Sequence, residues 1–154
     1  MRIMEIRVAD HTNEHARTLL REHLDGMREN SPPGAVHALD LEGLQHPSVS
    51  LFALWSDGDL LAIGALKEIA ADLGEIKSMR TAAAHLQKGA AAYLLEHLVA
   101  LARQRGYRRI SLETGSGAMF MPAIVLYSRF GFALGDSFGS YTATDFNQFM
   151  HLDL

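Results

Sequence analysis

Polar and apolar positions change period several times along the chain, and each change marks an element. Glu5-Ile6-Arg7-Val8 alternates, the period of a strand with one buried face. Ala16, Leu19, Leu20, His23, Leu24 and Met27 then recur at helical spacing, behind Asp10, Thr12 or Asn13, any of which can cap the helix. Asn30-Ser31-Pro32-Pro33-Gly34 stops that helix. Val36 to Leu44 predicts a short second one, with Leu39 and Leu44 turned inward and His46-Pro47 closing it. Val49 to Trp55 is β-rich, Ser56-Asp57-Gly58-Asp59 signals a hairpin turn, and Leu60 to Glu68 returns as the partner strand. Ala70 to Leu73 is a short connection into the next strand.

The stretch from Gly74 to Thr114 organises the rest. A strand, Glu75 to Thr81, leads through a tight loop ending in Gln87-Lys88-Gly89-Ala90-Ala91 into a long amphipathic helix. Leu94, Leu98 and Leu101 form its apolar stripe, flanked by Ala91, Leu95 and Ala102. Arg105-Gly106 ends it, and Arg109 to Glu113 is a second strand. This βαβ unit brings the free N–H groups of a helix N-terminus to the end of a sheet, where an anion can bind. Beyond it, Gly115-Ser116-Gly117 is a loop and Pro122 sits near the start of a helix running through Phe130. Gly131 ends that helix, Phe132 to Leu134 starts a strand, Gly135 to Asn147 is a polar loop, and Phe149 to Leu152 is the last strand. Without repeats or linkers, residues 1–154 read as a single α/β domain.

Composition narrows the chemistry. A chain of 154 residues, 48% hydrophobic and 21% charged, can bury one useful core. No apolar run is long enough to span a bilayer, and the alternating N-terminus is unlike a signal peptide, which predicts a cytoplasmic protein with no membrane partner. Zero cysteines exclude disulfides, Cys-ligated zinc and a cysteine acyl-enzyme. A net charge of −4 argues against nucleic acid as a partner.

Several residues carry candidate chemistry, each with a plainer reading beside it. Gly89 lets a phosphate approach the backbone, with Lys88 adding charge, or the turn is merely a helix start packed on a sheet. Glu75 is a general base or a solvated strand-edge carboxylate, and Tyr127 is a proton donor or a core tyrosine. Arg80 binds a carboxylate or makes a structural salt bridge. His37, after a rigid Pro-Pro turn, faces a substrate or merely sits in a surface cap region. His97 reads as a partly exposed surface residue. His11-Thr12-Asn13-Glu14-His15 matches the inverted zincin pattern but straddles a helix start, so a metal is not expected. Neither a nucleophile elbow nor a dinucleotide or P-loop fingerprint is present.

The order of elements, the Gln87–Ala91 turn and Leu126-Tyr127-Ser128-Arg129-Phe130-Gly131-Phe132 together resemble the GNAT family of acetyl-CoA-dependent N-acetyltransferases, over nearly the whole chain. SPPGAVHALDL, GALKE, GEIKSMRT, HLQKG and SLETGS are especially similar to the YsnE-type members. The resemblance implies a mixed, twisted sheet flanked by helices, with acetyl-CoA in a V between the splayed parallel strands Glu75–Thr81 and Arg109–Glu113. The family's Q/R-x-x-G-x-G/A loop falls on Leu86 to Ala91, with Leu86 replacing the polar first residue. Gln87, Lys88, Gly89, Ala90 and Ala91 are thereby implied to bind the cofactor's pyrophosphate. Main-chain groups of Met79, Arg80 and Thr81 are implied to pair with its pantetheine arm. Tyr127 would protonate the departing thiolate, and a base at or near Glu75 would deprotonate the acceptor. Phe120 stands where an asparagine often occurs, seven residues before the tyrosine. The expected activity is acetyl transfer to a primary amine of a small molecule by direct attack. Arg80 and His37 suit an amino acid or analogue as acceptor. The alternative is a non-catalytic acyl-CoA sensor on the same fold. The resemblance, and nothing else, implies a homodimer.

Overall fold

The computed structural model describes residues 3–154, so Met1 and Arg2, the start of the alternating N-terminal stretch, lie outside it. Among the described residues, seven strands form one mixed sheet: β1 (Met4–Val8), β2 (Val49–Ser56), β3 (Asp59–Ala70), β4 (Leu73–Thr81), β5 (Arg109–Thr114), β6 (Ala133–Gly135) and β7 (Gln148–Asp153). The spatial order is β1-β2-β3-β4-β5-β7-β6, antiparallel throughout except for the parallel β4–β5 pair. Three helices flank it: α1 (Glu14–Glu29), α2 (Ala90–Gln104) and α3 (Met121–Arg129). The chain between β4 and β5 is the βαβ crossover, with α2 as its helix.

Alternation along the strands sorts the core onto two faces. Leu51, Ala53, Ile63 and Ala65 pack with Leu19 and Leu20 of α1, while Phe52, Leu54, Leu66 and Ile76 pack with Leu94, Leu95, Leu98 and Val99 of α2. Of the three candidate caps it is Asn13 that starts α1, accepting a hydrogen bond from the Ala16 N–H. The inward stripe of α2 is rotated toward Val99; Leu101 is only partly buried. Among the described residues no helix is long and apolar enough to cross a membrane.

The helix expected over Val36 to Leu44 does not form. The segment is irregular and closes in a 3₁₀ turn at Gly43–Gln45. Asp40 Oδ1 captures the Gly43 N–H at 2.8 Å, an Asx-type turn that offers the backbone a partner other than a helix. Leu44 is buried and Leu39 packs beside it, so both apolar anchors turn inward as expected, while residues 35–40, after a turn at Pro33-Gly34, form neither helix nor strand and carry His37 across to the sheet.

Two backbone features open the sheet at its centre. β4 and β5 pair only through Leu73–Arg109, Gly74–Ile110 and Glu75–Ser111, then separate. Opposite, β4 carries a bulge: Ile63 faces Arg80 while Ala65 faces Lys77, so Ser78 and Met79 share one partner position. Ser78 takes φ 57° there, a left-handed conformation that a serine adopts only when its surroundings impose it.

Candidate active site

The separation of β4 and β5 leaves a cavity of about 190 Å³, walled by Glu75 to Arg80, Leu112 to Thr114, His23 and Gly26 of α1, and Ala123 and Tyr127 of α3. A second cavity of about 820 Å³ lies between the 32–39 segment and the 138–147 loop. His37, Glu75, Lys77 and Tyr141 line both and form the partition between them.

That partition is built by long-range contacts. Period-2 alternation puts Glu75 and Lys77 on the same face of β4, where both are buried. Lys77 Nζ donates to Glu75 Oε2 at 3.2 Å and to the Tyr141 hydroxyl at 2.7 Å, and that hydroxyl donates to Glu75 Oε2 at 2.5 Å. The lysine charge and the tyrosine hydrogen bond offset the cost of burying the carboxylate. Burial first, then the Glu75 charge, its hydrogen bond and the Glu113 charge, push the Tyr141 phenol well above the ordinary tyrosine range. From β5, Glu113 receives His37 Nδ1 at 2.8 and 2.7 Å on its two oxygens and Asn147 Nδ2 at 3.1 Å. The His37 ring also meets the Tyr141 ring edge-on, with centroids 5.2 Å apart.

On the α3 side, Tyr127 is buried against Phe132, and burial raises its phenol pKa strongly, so it holds its proton at neutral pH. On the α1 side, Arg80 lies across the helix at Gly26, and a Cβ there would fall 2.8 Å from Arg80 Nη2. A glycine in the last turn of α1 therefore leaves the space that the guanidinium occupies. Among the described residues Arg80 makes no salt bridge, and its hydrogen bond is to the Glu22 carbonyl at 3.4 Å. His23 beside it is buried with Nδ1 unpartnered. Burial, and secondarily the Arg80 charge, lower its pKa to about 4. Ser78 Oγ, in the bulge, is likewise buried and unpartnered.

The expected phosphate turn lies outside this cavity, at the start of α2. Gln87 and Gly89 take φ 62° and 79°, and Gly89 caps the helix without any side-chain bond to its first N–H groups. The first helical turn of α2 thus presents unsatisfied donors beside exposed backbone, a fit for a pyrophosphate. Lys88, exposed, rests its Nζ 3.1 Å from His85 Nδ1. Beyond Glu75 the β4 edge facing β5 has no ladder partner, which suits the amide-rich pantetheine arm of coenzyme A.

The residues singled out in the sequence thus divide into two groups. Glu75, Met79, Arg80, Tyr127 and His37 share one cavity. Thr81, Gln87, Lys88, Gly89, Ala90 and Ala91 do not line it; Ala90 is buried under the helix start. Glu75 is not a solvated edge residue but a buried member of an ion pair. Lys77, Glu113, Tyr141 and Asn147 carry no chemical role in the sequence reading, and His23 enters it only as a position on the α1 stripe. The signal for Lys77 was its position two residues from Glu75 on a strand; for Tyr141 it was a set of three aromatic residues, with Phe138 and Phe146, in a loop otherwise rich in small and polar residues. Phe120 packs edge-on against Phe146 and lines the cavity, so an apolar ring occupies the place where an asparagine is common. His11 lies in an exposed turn and His15 sets its ring against Trp55. Among the described residues no three His, Cys, Asp or Glu side chains gather to hold a metal.

Residues 2–132 match the acetyltransferase (GNAT) family. The chain is 46% identical over 138 residues to the uncharacterized N-acetyltransferase YsnE of Bacillus subtilis, covering 90% of this chain and 91% of that one. It is 38% identical over 149 residues to the uncharacterized N-acetyltransferase YedL of Escherichia coli, covering 97% and 94%. A crystal structure from Klebsiella pneumoniae, of a protein assigned as an acyl-CoA N-acyltransferase, superposes with a TM-score of 0.79 at 26% identity over 99% of this chain and 98% of that one. With its splayed parallel strands and its left-handed glycine before α2, this chain belongs to the GNAT family of acetyltransferases.

Proposed function

We propose that this protein transfers an acetyl group from acetyl-CoA to the primary amine of a small molecule that also carries a carboxylate, such as an amino acid or analogue. The observation that carries the acceptor class is Arg80. It is a guanidinium on the wall of the cavity, without a carboxylate partner among the described residues and kept clear by Gly26. Arginine presents a planar fork of donors that matches a carboxylate two bonds at a time.

Bound at the α2 turn and along the free edge of β4, acetyl-CoA supplies an activated acetyl thioester at the gap. The chain's residues do the rest. Gln87, Lys88 and Gly89, with the N–H groups of Ala90 and Ala91, hold the pyrophosphate. Main-chain groups of Met79, Arg80 and Thr81 orient the arm and polarise the acetyl carbonyl. Tyr127, protonated through burial, gives its proton to the departing sulfur. A group on the partition takes the amine proton; Glu75 and His37 are the two there able to accept one.

Release of free CoA from acetyl-CoA across a library of amines and amino acids tests this reading. Acceptors with a carboxylate should be preferred, and Arg80→Gln should raise KM for them by about 10-fold or more while leaving carboxylate-free amines less affected, since a charge-assisted pair is worth about 1.5–3 kcal/mol. Equal effects on both classes would remove the amino-acid assignment.

A further inference from the structure

The base of this reaction is the open assignment, and the partition distinguishes its two candidates. Glu75 is already engaged: one of its oxygens accepts from both Lys77 and Tyr141, in a buried pocket. His37 differs. It is exposed, it lines both cavities, and its Nδ1 sits between the two oxygens of Glu113 at 2.8 and 2.7 Å. A carboxylate on Nδ1 draws the proton of the neutral ring to that nitrogen and leaves Nε2 with its lone pair free. Asn147 Nδ2 donates to Glu113 and its Oδ1 receives the Thr144 N–H, which ties the carboxylate to the loop carrying Tyr141. The Tyr141 ring packs edge-on to His37 and restricts its tilt. An imidazole oriented by a carboxylate is the arrangement in which His accepts a proton most effectively.

We propose that His37 is the general base of acetyl transfer, through Nε2, with Glu113 as the positioning residue that fixes its tautomer, and with Glu75 serving to hold Lys77 and Tyr141. The proposal rests on the transferase reading and deepens it. The acceptor nitrogen forms the new C–N bond as its proton passes to His37 Nε2. The C–S bond breaks, and the sulfur takes the Tyr127 proton. Solvent then carries the His37 proton back to Tyr127, so the net change moves one proton from amine to thiol.

Two measurements test it. In the free protein, nitrogen NMR of the His37 ring should show the neutral ring with its proton on Nδ1 and Nε2 unprotonated, and Glu113→Gln should mix the tautomers. Glu113 from β5 and Tyr141 from the 138–147 loop touch this ring, and the other titratable or charged groups lining the two cavities beside it are Glu75, Lys77 and Arg80 from β4, Lys67 from β3, His23 from α1 and Asp145 from that loop. The Glu75→Gln spectrum is therefore recorded as the control. In turnover, His37→Ala should lose kcat by about 10²-fold or more with KM little changed, as removal of a general base does. It should also lose the acidic limb of the kcat/KM profile, and added imidazole should restore part of the rate. An acidic limb that survives in His37→Ala but vanishes in Glu75→Gln would overturn the proposal, as would a proton found on Nε2 in the wild type. If the wild type released no CoA in response to any amine, the transferase reading would fail and take this assignment with it.

Discussion

Single buried residues set the charge states of the site and of the core around it. His23 is buried with its pKa lowered to about 4, against about 6.5 for an unfolded histidine. The unfolded chain therefore binds the extra proton first. Stability from this residue is complete above about pH 6.5 and is lost as pH falls toward 4, by on the order of 3 kcal/mol. Thermal unfolding followed between those pH values should show the drop, and His23→Gln should flatten it. The Glu75–Lys77 pair makes a second prediction. Lys77→Met leaves a buried carboxylate with only Tyr141, so unfolding free energy should fall by about 3–5 kcal/mol, while Lys77→Met combined with Glu75→Gln should recover much of that loss. Urea unfolding of the two variants decides it; equal losses in both would mean that the pair is not electrostatically coupled.

At the scale of elements, glycines mark where regular structure yields to function. Gly26 in α1 is expected to behave oppositely in stability and activity. Gly26→Ala removes the entropic cost of a glycine in the last turn of α1 and should stabilise the fold by up to about 0.5–1 kcal/mol. Its Cβ would displace the Arg80 guanidinium, so KM for a carboxylate-bearing acceptor should rise. A variant that is more stable with unchanged acceptor KM would show that Arg80 is not held for binding. The elements themselves were legible from sequence wherever periodicity was strong: β2, β3, β4 and α2 follow from alternation, a turn signal and a helical stripe, whereas the splay of β4 from β5 was implied only by the family resemblance. Val36 to Leu44 was not. Its apolar spacing mimics one helical turn, but Asp40 satisfies the backbone locally and His37 is drawn to Glu113, a contact that spans 76 positions and leaves no local trace.

Over the whole molecule, the sheet serves as a divided chamber. Burial on both faces holds β4 and β5 rigidly through Glu75, and the bulge at Ser78 and the end of pairing then open a gap that α1, α3 and two loops close. The same logic explains which part of the site could be read in advance. Glu75, Arg80 and Tyr127 lie on elements whose positions follow from the chain order. Tyr141, Glu113 and Asn147 acquire meaning only when the 138–147 loop folds back over β4 and β5, bringing Tyr141 to Glu75 across 66 positions. Loops carry function in this way because a rigid scaffold aims them.

Whether the gap between β4 and β5 catalyses acetyl transfer to an amine can be measured. Acceptor-dependent release of CoA by the wild type and by Tyr127→Phe tests it most directly. Release should require an amine, prefer one bearing a carboxylate, and fall by about 10²-fold in Tyr127→Phe, as loss of a positioned proton donor does, with acetyl-CoA binding retained. Binding of acetyl-CoA without release to any amine, and with Tyr127→Phe indistinguishable from wild type, would contradict the transferase reading.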